Sequence, residues 1–470
     1  MDYDVADNPL ITRYASKEMS KLFSMRERIE TWRLLWVVLA EEEQKLGLPI
    51  TDQQIAALKN KSTHISWNIA EQREKEVRHD VMAHVYTYGV DAPEAAPIIH
   101  LGATSCYVTD NTDIMIMIAA MKLLSDKLII AMDLLKEFAN EHKELPILGL
   151  THLQPAQPVT LGKRVCTWIS DLLIDYGRLH ECIKNTPTLG CVGATGTMAS
   201  FVELFDGDIA KAIKLHSNIC NRIGRCAQHA SGQTYSRKID SWILETVSGI
   251  GESVAKMATD IRLMQSRKEV EEPFGKNQIG SSAMAYKRNP MRSERICSLA
   301  RYLTTLPLSS KITHSTQWME RTLDDSAIRR IIIPNAFLAA DAILELCINI
   351  SKGLVVHEDI IKKNLENEIP FMITEGILMI AVKSGGDRQE LHEELRNITQ
   401  QYRHNPTMVE CSILASPTLR ISDDELASVK QRLIGACVEI TSDMVGQVDA
   451  IKTNHKWSRA NYSDVGAIKV

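Results

Sequence analysis

The sequence predicts an all-α protein of three helical domains, with a central bundle of long helices. Three observations predict it. Apolar residues recur with a period near 3.6 through most of the chain, and few segments alternate with a period of two. Several helical runs reach about 25–30 residues, or about 40 Å at 1.5 Å per residue. Rods of that length are comfortable only when packed lengthwise in a bundle, within one chain or across subunits. Finally, a chain of 470 residues is too long for one ordinary core. Its length suggests about three domains.

Taken in order, Ile29, Trp32, Trp36, Leu39 and Leu46 mark one face of a first helix. Gly47 and Pro49 stop it, and Thr51-Asp52 can cap the next. A helix over Glu71 to Tyr88 carries Val77, Val81, His84, Val85 and Tyr88 on one face and ends at Gly89. Asp110-Asn111 precede a long helix from Thr112 to His142, whose stripe is Ile114, Ile118, Met121, Leu128 and Leu135. Further rods run from Val159 to Lys184, from Lys238 to Ser266 despite Gly249 and Gly251, and from about Leu323 to Lys352. Pro334 should kink the last of these or lie near a first turn. Pro290 fits the first turn of another helix, where its missing N–H is no loss, and Ile296, Leu299, Ala300 and Leu303 continue it. From His357 onward the segments shorten, with turn signals at Gly385-Gly386, Asn405-Pro406 and Ser416-Pro417. Changes near residues 104 and 356 give domains 1–104, 105–356 and 357–470.

Composition excludes several classes. A net charge of −5 implies no general attraction to nucleic acid. Ten cysteines occur without a Cys-x-x-Cys pair, which favours free thiols in a reducing compartment over disulfides or zinc. The acidic N-terminus lacks an apolar signal core. The uncharged run from Pro146 to Gly162 holds a His, glutamines and three prolines, which argues against a membrane span. The expectation is a cytoplasmic protein with no nucleic-acid or membrane partner. No metal-ligand cluster or dinucleotide fingerprint stands out, so no metal or organic cofactor is expected. The run Gly190 to Thr197 lacks the Gly-Lys-Ser/Thr ending of a phosphate loop and reads as a turn.

The chemistry concentrates in Gly280 to Arg295, GSSAMAYKRNPMRSER. Gly280 and two serines give a backbone that bends and exposes amides. Lys287, Arg288, Arg292 and Arg295 add charge just before a helix start, a ready place for anionic oxygens. Composition alone fits a solvated surface loop equally well. Other candidates are as open. His152, in Thr151-His152-Leu153-Gln154-Pro155-Ala156-Gln157, lies on a loop between long helices. Arg78-His79-Asp80 falls inside a helix and reads as an ion-paired face. Thr104-Ser105 make a cap-like turn. Arg321, Ser326 and Arg330 combine two guanidiniums and a hydroxyl, a phosphate clamp or a charged helix end balanced by Asp324 and Asp325.

Gly280-Ser281-Ser282, Met284, Lys287, Asn289 and Glu294 closely resemble the signature loop of the fumarase/aspartase superfamily, which eliminates fumarate from succinyl-containing substrates. The run from Ser282 to Arg295 is similar to that of the adenylosuccinate lyase family, animal type. One departure is Ala285, where that family usually has proline. The resemblance covers nearly the whole chain and is weakest after about residue 400.

It implies a homotetramer, with a tetrameric core of long helices and active sites shared by three subunits. It also implies a small-molecule nucleotide substrate, split into AMP and fumarate, and parallel cleavage of the succinylaminoimidazole carboxamide ribotide. His152 matches the family's general acid: the departing purine nitrogen is a poor leaving group unless protonated. Ser281 matches its base, which its surroundings must activate. Lys287 or loop amides are candidates for that, with loop closure assisting. Lys287 and Asn289 suit the aci-carboxylate formed when the carbon beside a carboxylate loses its proton. By the same resemblance Arg13 and Tyr14 meet the nucleotide, Arg78, His79 and Asp80 meet the substrate, and Thr104 and Ser105 hold a carboxylate. Gln233 and Arg295 line the site, and Arg321, Ser326 and Arg330 clamp the phosphate. Two rivals remain: another fumarate-releasing enzyme such as an argininosuccinate lyase, and a non-catalytic structural protein on the same scaffold. The phosphate-clamp set argues against the first; His152, Ser281, Lys287 and Asn289 argue against the second.

Overall fold

The structure is a computed structural model and describes residues 4–454 and 465–466; the last part of the 357–470 segment lies outside them. It is all-α apart from two small antiparallel strand pairs. The N-terminal part holds α1 (Lys17–Leu22), α2 (Met25–Lys45), α3 (Asp52–Asn60), α4 (Trp67–Val77) and α5 (Asp80–Asp91). Ser24 caps α2, and Thr51 forms a capping box with Gln54 at α3, as the sequence there suggests. The helix expected over Glu71 to Tyr88 is in fact two. Arg78 adopts a left-handed conformation with φ +52° and ends α4, and Asp80 begins α5, which runs past Gly89.

The middle of the chain supplies the rods. They are α6 (Ser105–Glu141), α7 (Leu161–Asn185), α10 (Lys238–Ser266), α11 (Met291–Ser315) and α12 (Asp325–Ser351). The shorter α8 (Ala199–Leu204) and α9 (Ile209–Ile223) lie between α7 and α10. The first rod starts seven positions before the expected Thr112, with Thr104 as its N-cap residue. Pro334 lies inside α12 rather than in its first turn. Between α6 and α7 the expected loop is a hairpin of β1 (Pro146–Thr151) and β2 (Gln154–Thr160). After α10, β3 (Val270–Glu271) pairs with β4 (Val355–Val356), which follows α12. The C-terminal part is α13 (Glu358–Glu366), α14 (Ile369–Met372), α15 (Thr374–Lys383), α16 (Arg388–Gln401), α17 (Pro406–Ala415), α18 (Asp423–Gln431) and α19 (Cys437–Asn454).

Among the described residues, apolar burial is organised around three large cores and a small one of Leu148, Leu365 and Met372. The largest runs the length of the rods through residues such as Leu128, Trp168, Val254, Leu303 and Phe337. The N-terminal helices share a second core with the start of α6 and with α8 and α9, through Trp36, Tyr88, Tyr107 and Phe201. A third, around Ile377, Leu395 and Val409, serves the C-terminal helices. Burial of this kind supplies roughly 25 cal/mol per Å² of apolar surface, so the stripes hold the rods together.

Polar groups set where the rods begin. Arg237, just before α10, reaches Asp110 of α6 at 3.0 Å and Asp325, the first residue of α12, at 2.6 Å. Arg329 of α12 reaches Asp240 of α10 at 2.7 Å and Asp113 of α6 at 3.0 Å. All three rods therefore start at one pole of the bundle. At the other pole lie the β1–β2 hairpin, the β3–β4 pair and the start of α11, which runs back antiparallel. Trp168 of α7 donates to Asp260 near the end of α10 at 2.7 Å, which fixes the hairpin end there.

Candidate active site

The first pole gathers more than half of the candidate residues. The break between α4 and α5 puts His79 in extended backbone as N-cap residue of α5, with Met82 N–H donating to its Nδ1 at 3.4 Å. The triplet Arg78-His79-Asp80 thus sits at a helix junction, not inside a helix. His79 Nε2 lies 3.4 Å from the Ser105 hydroxyl in the first turn of α6. Asp80 pairs with Arg330 of α12 at 2.9 Å, while its contact with His79 Nδ1 is longer, at 3.7 Å. Its principal partner is therefore Arg330 rather than the imidazole. Thr104 makes no side-chain cap bond, which leaves its hydroxyl beside the first amides of α6. Such a helix start suits a carboxylate.

Gln233 is held by three contacts. Its N–H donates to Glu320 at 2.9 Å, its side-chain amide donates to the Ala194 carbonyl at 3.0 Å, and its Oε1 faces Cys106 Sγ at 3.6 Å. Of the expected phosphate clamp, Arg321 is tied to Asp325 by two contacts of 3.0 and 3.1 Å, and Arg330 is tied to Asp80. Asp325 thus balances Arg321 within the segment, and Ser326 and Arg330, four positions apart on α12, share a helix face. Beneath lies a buried layer that the sequence reading did not assign, with Arg237 and Arg329 set among Asp110, Asp113, Asp240 and Asp325 and the Tyr235 hydroxyl. The neighbouring guanidiniums hold the Asp113 carboxyl below its usual range although burial opposes this. Arg237, four positions after Gln233, and Asp110 at the expected helix start were the available signals.

The second pole holds the loop. Gln265, near the end of α10, anchors both its sides: its side-chain oxygen accepts from Glu272 N–H at 3.2 Å and its amide donates to the Arg288 carbonyl at 3.1 Å. Glu272, 3% exposed, accepts from the N–H groups of Arg292 and Ser293 and from the Ser293 hydroxyl, each at 2.9 Å. This carboxylate at a helix start sits where the backbone dipole favours it. Sequence reasoning missed it, and its only signal is the acidic run Glu269-Val270-Glu271-Glu272 before the basic loop. Asn289 closes the loop by donating to the Gly280 carbonyl at 2.8 Å. Gly280 is needed there, since a Cβ would stand 2.0 Å from the Lys287 carbonyl oxygen.

Within the closed loop, the Ser281 hydroxyl oxygen accepts from Met284 N–H at 3.0 Å and Ala283 N–H at 3.3 Å. Two donors on that oxygen favour its deprotonated form. Ser281 and the exposed Lys287 line a cleft of about 510 Å³ with Phe274 and Tyr286. Arg295, in the first turns of α11, stacks on Tyr14 with 5.2 Å from guanidinium to ring centroid. Arg13 is exposed beside it on the short turn Leu10–Tyr14.

His152 is at the tip of the β1–β2 hairpin. The loop is a two-residue turn in which His152 has φ +53° and Leu153 φ +59°. Positive φ at both central positions is the geometry Asn-Gly normally supplies. Placing non-glycine residues there stores strain of about 1–3 kcal/mol each, and such strain clusters at active sites.

One chain does not bring these groups into one pocket. Gln233 stands at the start of α10 and Gln265, which anchors the loop, near its end. The 29 residues of α10 span about 43 Å at 1.5 Å per residue. His79, Ser105, Gln233, Arg321, Ser326 and Arg330 share the first pole. Ser281, Lys287, Asn289 and His152 belong to the second.

A family model described as lyase matches residues 16–303. The chain is 50% identical over 404 residues to the adenylosuccinate lyase of Saccharomyces cerevisiae, covering 85% of this chain and 84% of that one. It is 50% identical over 398 residues to that of Schistosoma mansoni, covering 84% and 83%, and 37% identical over 474 residues to that of Caenorhabditis briggsae, covering 99% and 98%. Among solved structures, a fumarate lyase from Mesorhizobium sp. BNC1 superposes with a TM-score of 0.80 at 21% identity, covering 92% of this chain and 98% of that one. A 3-carboxy-cis,cis-muconate lactonizing enzyme from Pseudomonas putida superposes with a TM-score of 0.81 at 20% identity, covering 95% and 100%. These two share the fold; the sequence relatives decide the family. The chain belongs to the adenylosuccinate lyase family.

Proposed function

We propose that this enzyme eliminates fumarate from adenylosuccinate to give AMP, and from the succinylaminoimidazole carboxamide ribotide, in purine nucleotide biosynthesis. The observation that carries this is 50% identity to adenylosuccinate lyases over 85% of the chain, with the signature loop intact from Gly280 to Arg295 except at Ala285. The chemistry is a β-elimination. Ser281, as alkoxide, takes the proton from the carbon beside a substrate carboxylate. The pair of electrons left behind moves into that carboxylate, which becomes a doubly charged aci-carboxylate. Lys287 stabilises it, more strongly as charge builds. The C–N bond then breaks, and His152 delivers a proton to the departing nitrogen. The hydrogen bonds from Ala283 and Met284 support Ser281 in the base role.

His79, Asp80, Thr104, Ser105, Gln233, Arg321, Ser326 and Arg330 bind the substrate's anionic and polar groups, with Arg78 beside them. Arg13, Tyr14, Asn289 and Arg295 complete the binding set from the other pole. A homotetramer supplies both poles to one site, and the separation along α10 is what supports this. The three domains 1–104, 105–356 and 357–470 follow the succession of shorter helices, rods and shorter helices. Ten free cysteines suit a cytoplasmic, reducing setting.

Single-turnover kinetics on His152→Ala test the acid role. Turnover should fall by about 10²–10⁴ while folding and assembly persist. Near-normal turnover removes His152 from that role. Fumarate release from a panel of succinylated substrates tests the specificity.

A further inference from the structure

The hairpin that carries His152 is attached to the C-terminal helices in an unusual way. Leu148 pairs with Pro158 and Leu150 with Pro155, so three steps along β2 span two along β1. Gln157 lies in the resulting bulge, and bulges re-aim side chains. Here the Gln157 amide donates to Oε2 of Glu375, in the first turn of α15. A carboxylate at that place is favoured by the helix start. Gly149 makes the bulge feasible, because a Cβ would stand 1.9 Å from the Gln157 carbonyl oxygen.

The base of the hairpin is buried at Ile147, Leu148 and Pro158, whereas its outer part, from Thr151 to Pro155, is exposed. Pro155 and Pro158 have no N–H to give the ladder. Leu148 and Leu150 rest on Leu365, Ile369 and Met372. Beyond them, a cavity of about 830 Å³ opens between Thr151, Leu153 and Pro155 on one side and Lys256, Phe371 and Glu375 on the other. The hairpin therefore spans a gap, and the Gln157–Glu375 hydrogen bond is a tie across it.

We infer that Glu375 is a positioning residue for the reaction: through Gln157 it holds the hairpin at the angle that places the His152 imidazole on the leaving nitrogen. This rests on His152 being the general acid. It gives the C-terminal helices a part in catalysis without any contact with substrate. The tie itself is exposed, so its loss removes no buried apolar contact and should leave the fold intact. What it changes is where the hairpin tip points, and a misplacement of about 1 Å can reduce a rate by about 10²-fold.

The experiment compares Glu375→Ala, Glu375→Gln, Gln157→Ala, His152→Ala and the double variant His152→Ala/Glu375→Ala, by steady-state and single-turnover kinetics and by melting temperature. Glu375→Ala and Gln157→Ala should each lower kcat by about 10–100-fold with KM changed less than about twofold. Glu375→Gln should keep most of kcat, since its amide oxygen still accepts. Adding Glu375→Ala to His152→Ala should lower the residual rate no further. Unchanged kcat in Glu375→Ala, a loss confined to KM, or a full additional loss in the double variant overturns the inference. If His152→Ala itself turns over normally, the acid assignment falls and this inference with it. If His152→Ala is inactive and Glu375→Ala behaves as wild type, only the positioning role falls.

Discussion

Lesions at opposite poles of the bundle should complement each other in mixed tetramers. Consider His79→Ala and Ser281→Ala. His79 meets Ser105 at the start of α6, and Cys106 meets Gln233 just before α10. The loop carrying Ser281 is anchored to Gln265, 27 positions beyond Lys238 along α10, or about 40 Å away at 1.5 Å per residue. No side chain spans that distance, so the proposed shared site would take its His79 from one subunit and its Ser281 from another. In tetramers assembled at random from equal amounts of the two variants, each contribution is intact with probability one half. About one quarter of the sites then carry neither lesion, and activity should recover to about a quarter of wild type. The assay is fumarate release after mild dissociation and reassembly, with differently tagged subunits so that mass spectrometry counts the mixed species. Parent variants taken through the same steps alone should stay inactive. Mixed tetramers formed in the expected proportions but without activity would refute the argument, because they would place both groups in one chain's site.

Two further outcomes follow from single groups. Lys287→Met should lower kcat at saturating substrate by about two orders of magnitude or more, and Lys287→Arg should not restore it fully, since a planar fork does not replace a compact ammonium. An unchanged kcat with weaker, salt-sensitive binding would reduce Lys287 to an electrostatic guide. Glu43 is wholly buried with no hydrogen-bond partner for either carboxylate oxygen among the described residues, and burial pushes its pKa from 4.5 up to about 9. Between those values the folded state binds one more proton than the unfolded state, so stability falls as pH rises through that window. Glu43→Gln should therefore be more stable than wild type at pH 8 and close to it near pH 5. Parallel pH profiles in urea titrations would contradict this.

The rods were legible because their apolar spacing is long and uninterrupted: the boundaries read for Lys238 to Ser266 are those of α10. The α4–α5 break was not, because Val77, Val81 and Val85 keep helical spacing straight across it. What ends α4 is the left-handed Arg78, and what holds the junction is Asp80 on Arg330, 250 positions away. The hairpin was missed for a related reason. His152-Leu153 lacks the Asn or Gly that usually marks such a turn, and Pro155 and Pro158 argue against a strand. For the site, residue types at Ser281, Lys287, Asn289 and His152 were readable from motifs. That they stand at the opposite pole from His79, Ser105 and Gln233 was not, since it depends on the direction and length of rods whose ends meet only in space. The same holds for Asn289, whose side chain is engaged in closing its own loop at Gly280.

The ion network at the first pole has a consequence for how the sequence can drift. Apolar stripes are periodic and tolerate a slip of one turn, about 5.4 Å, with little loss of burial. The pairings of Arg237 with Asp110 and Asp325, and of Arg329 with Asp113 and Asp240, tolerate no such slip, and so act as the zero mark of a ruler. Everything at the far pole is then measured off from that mark. A one-residue insertion inside α10 would carry Gln265 about 1.5 Å along the axis and about 100° around it, away from both of its loop contacts. Substitutions within the rods change packing by increments, whereas insertions and deletions change the address of the loop. Rod length should thus be held more tightly than rod composition, and length variation should gather in connections that carry none of these groups.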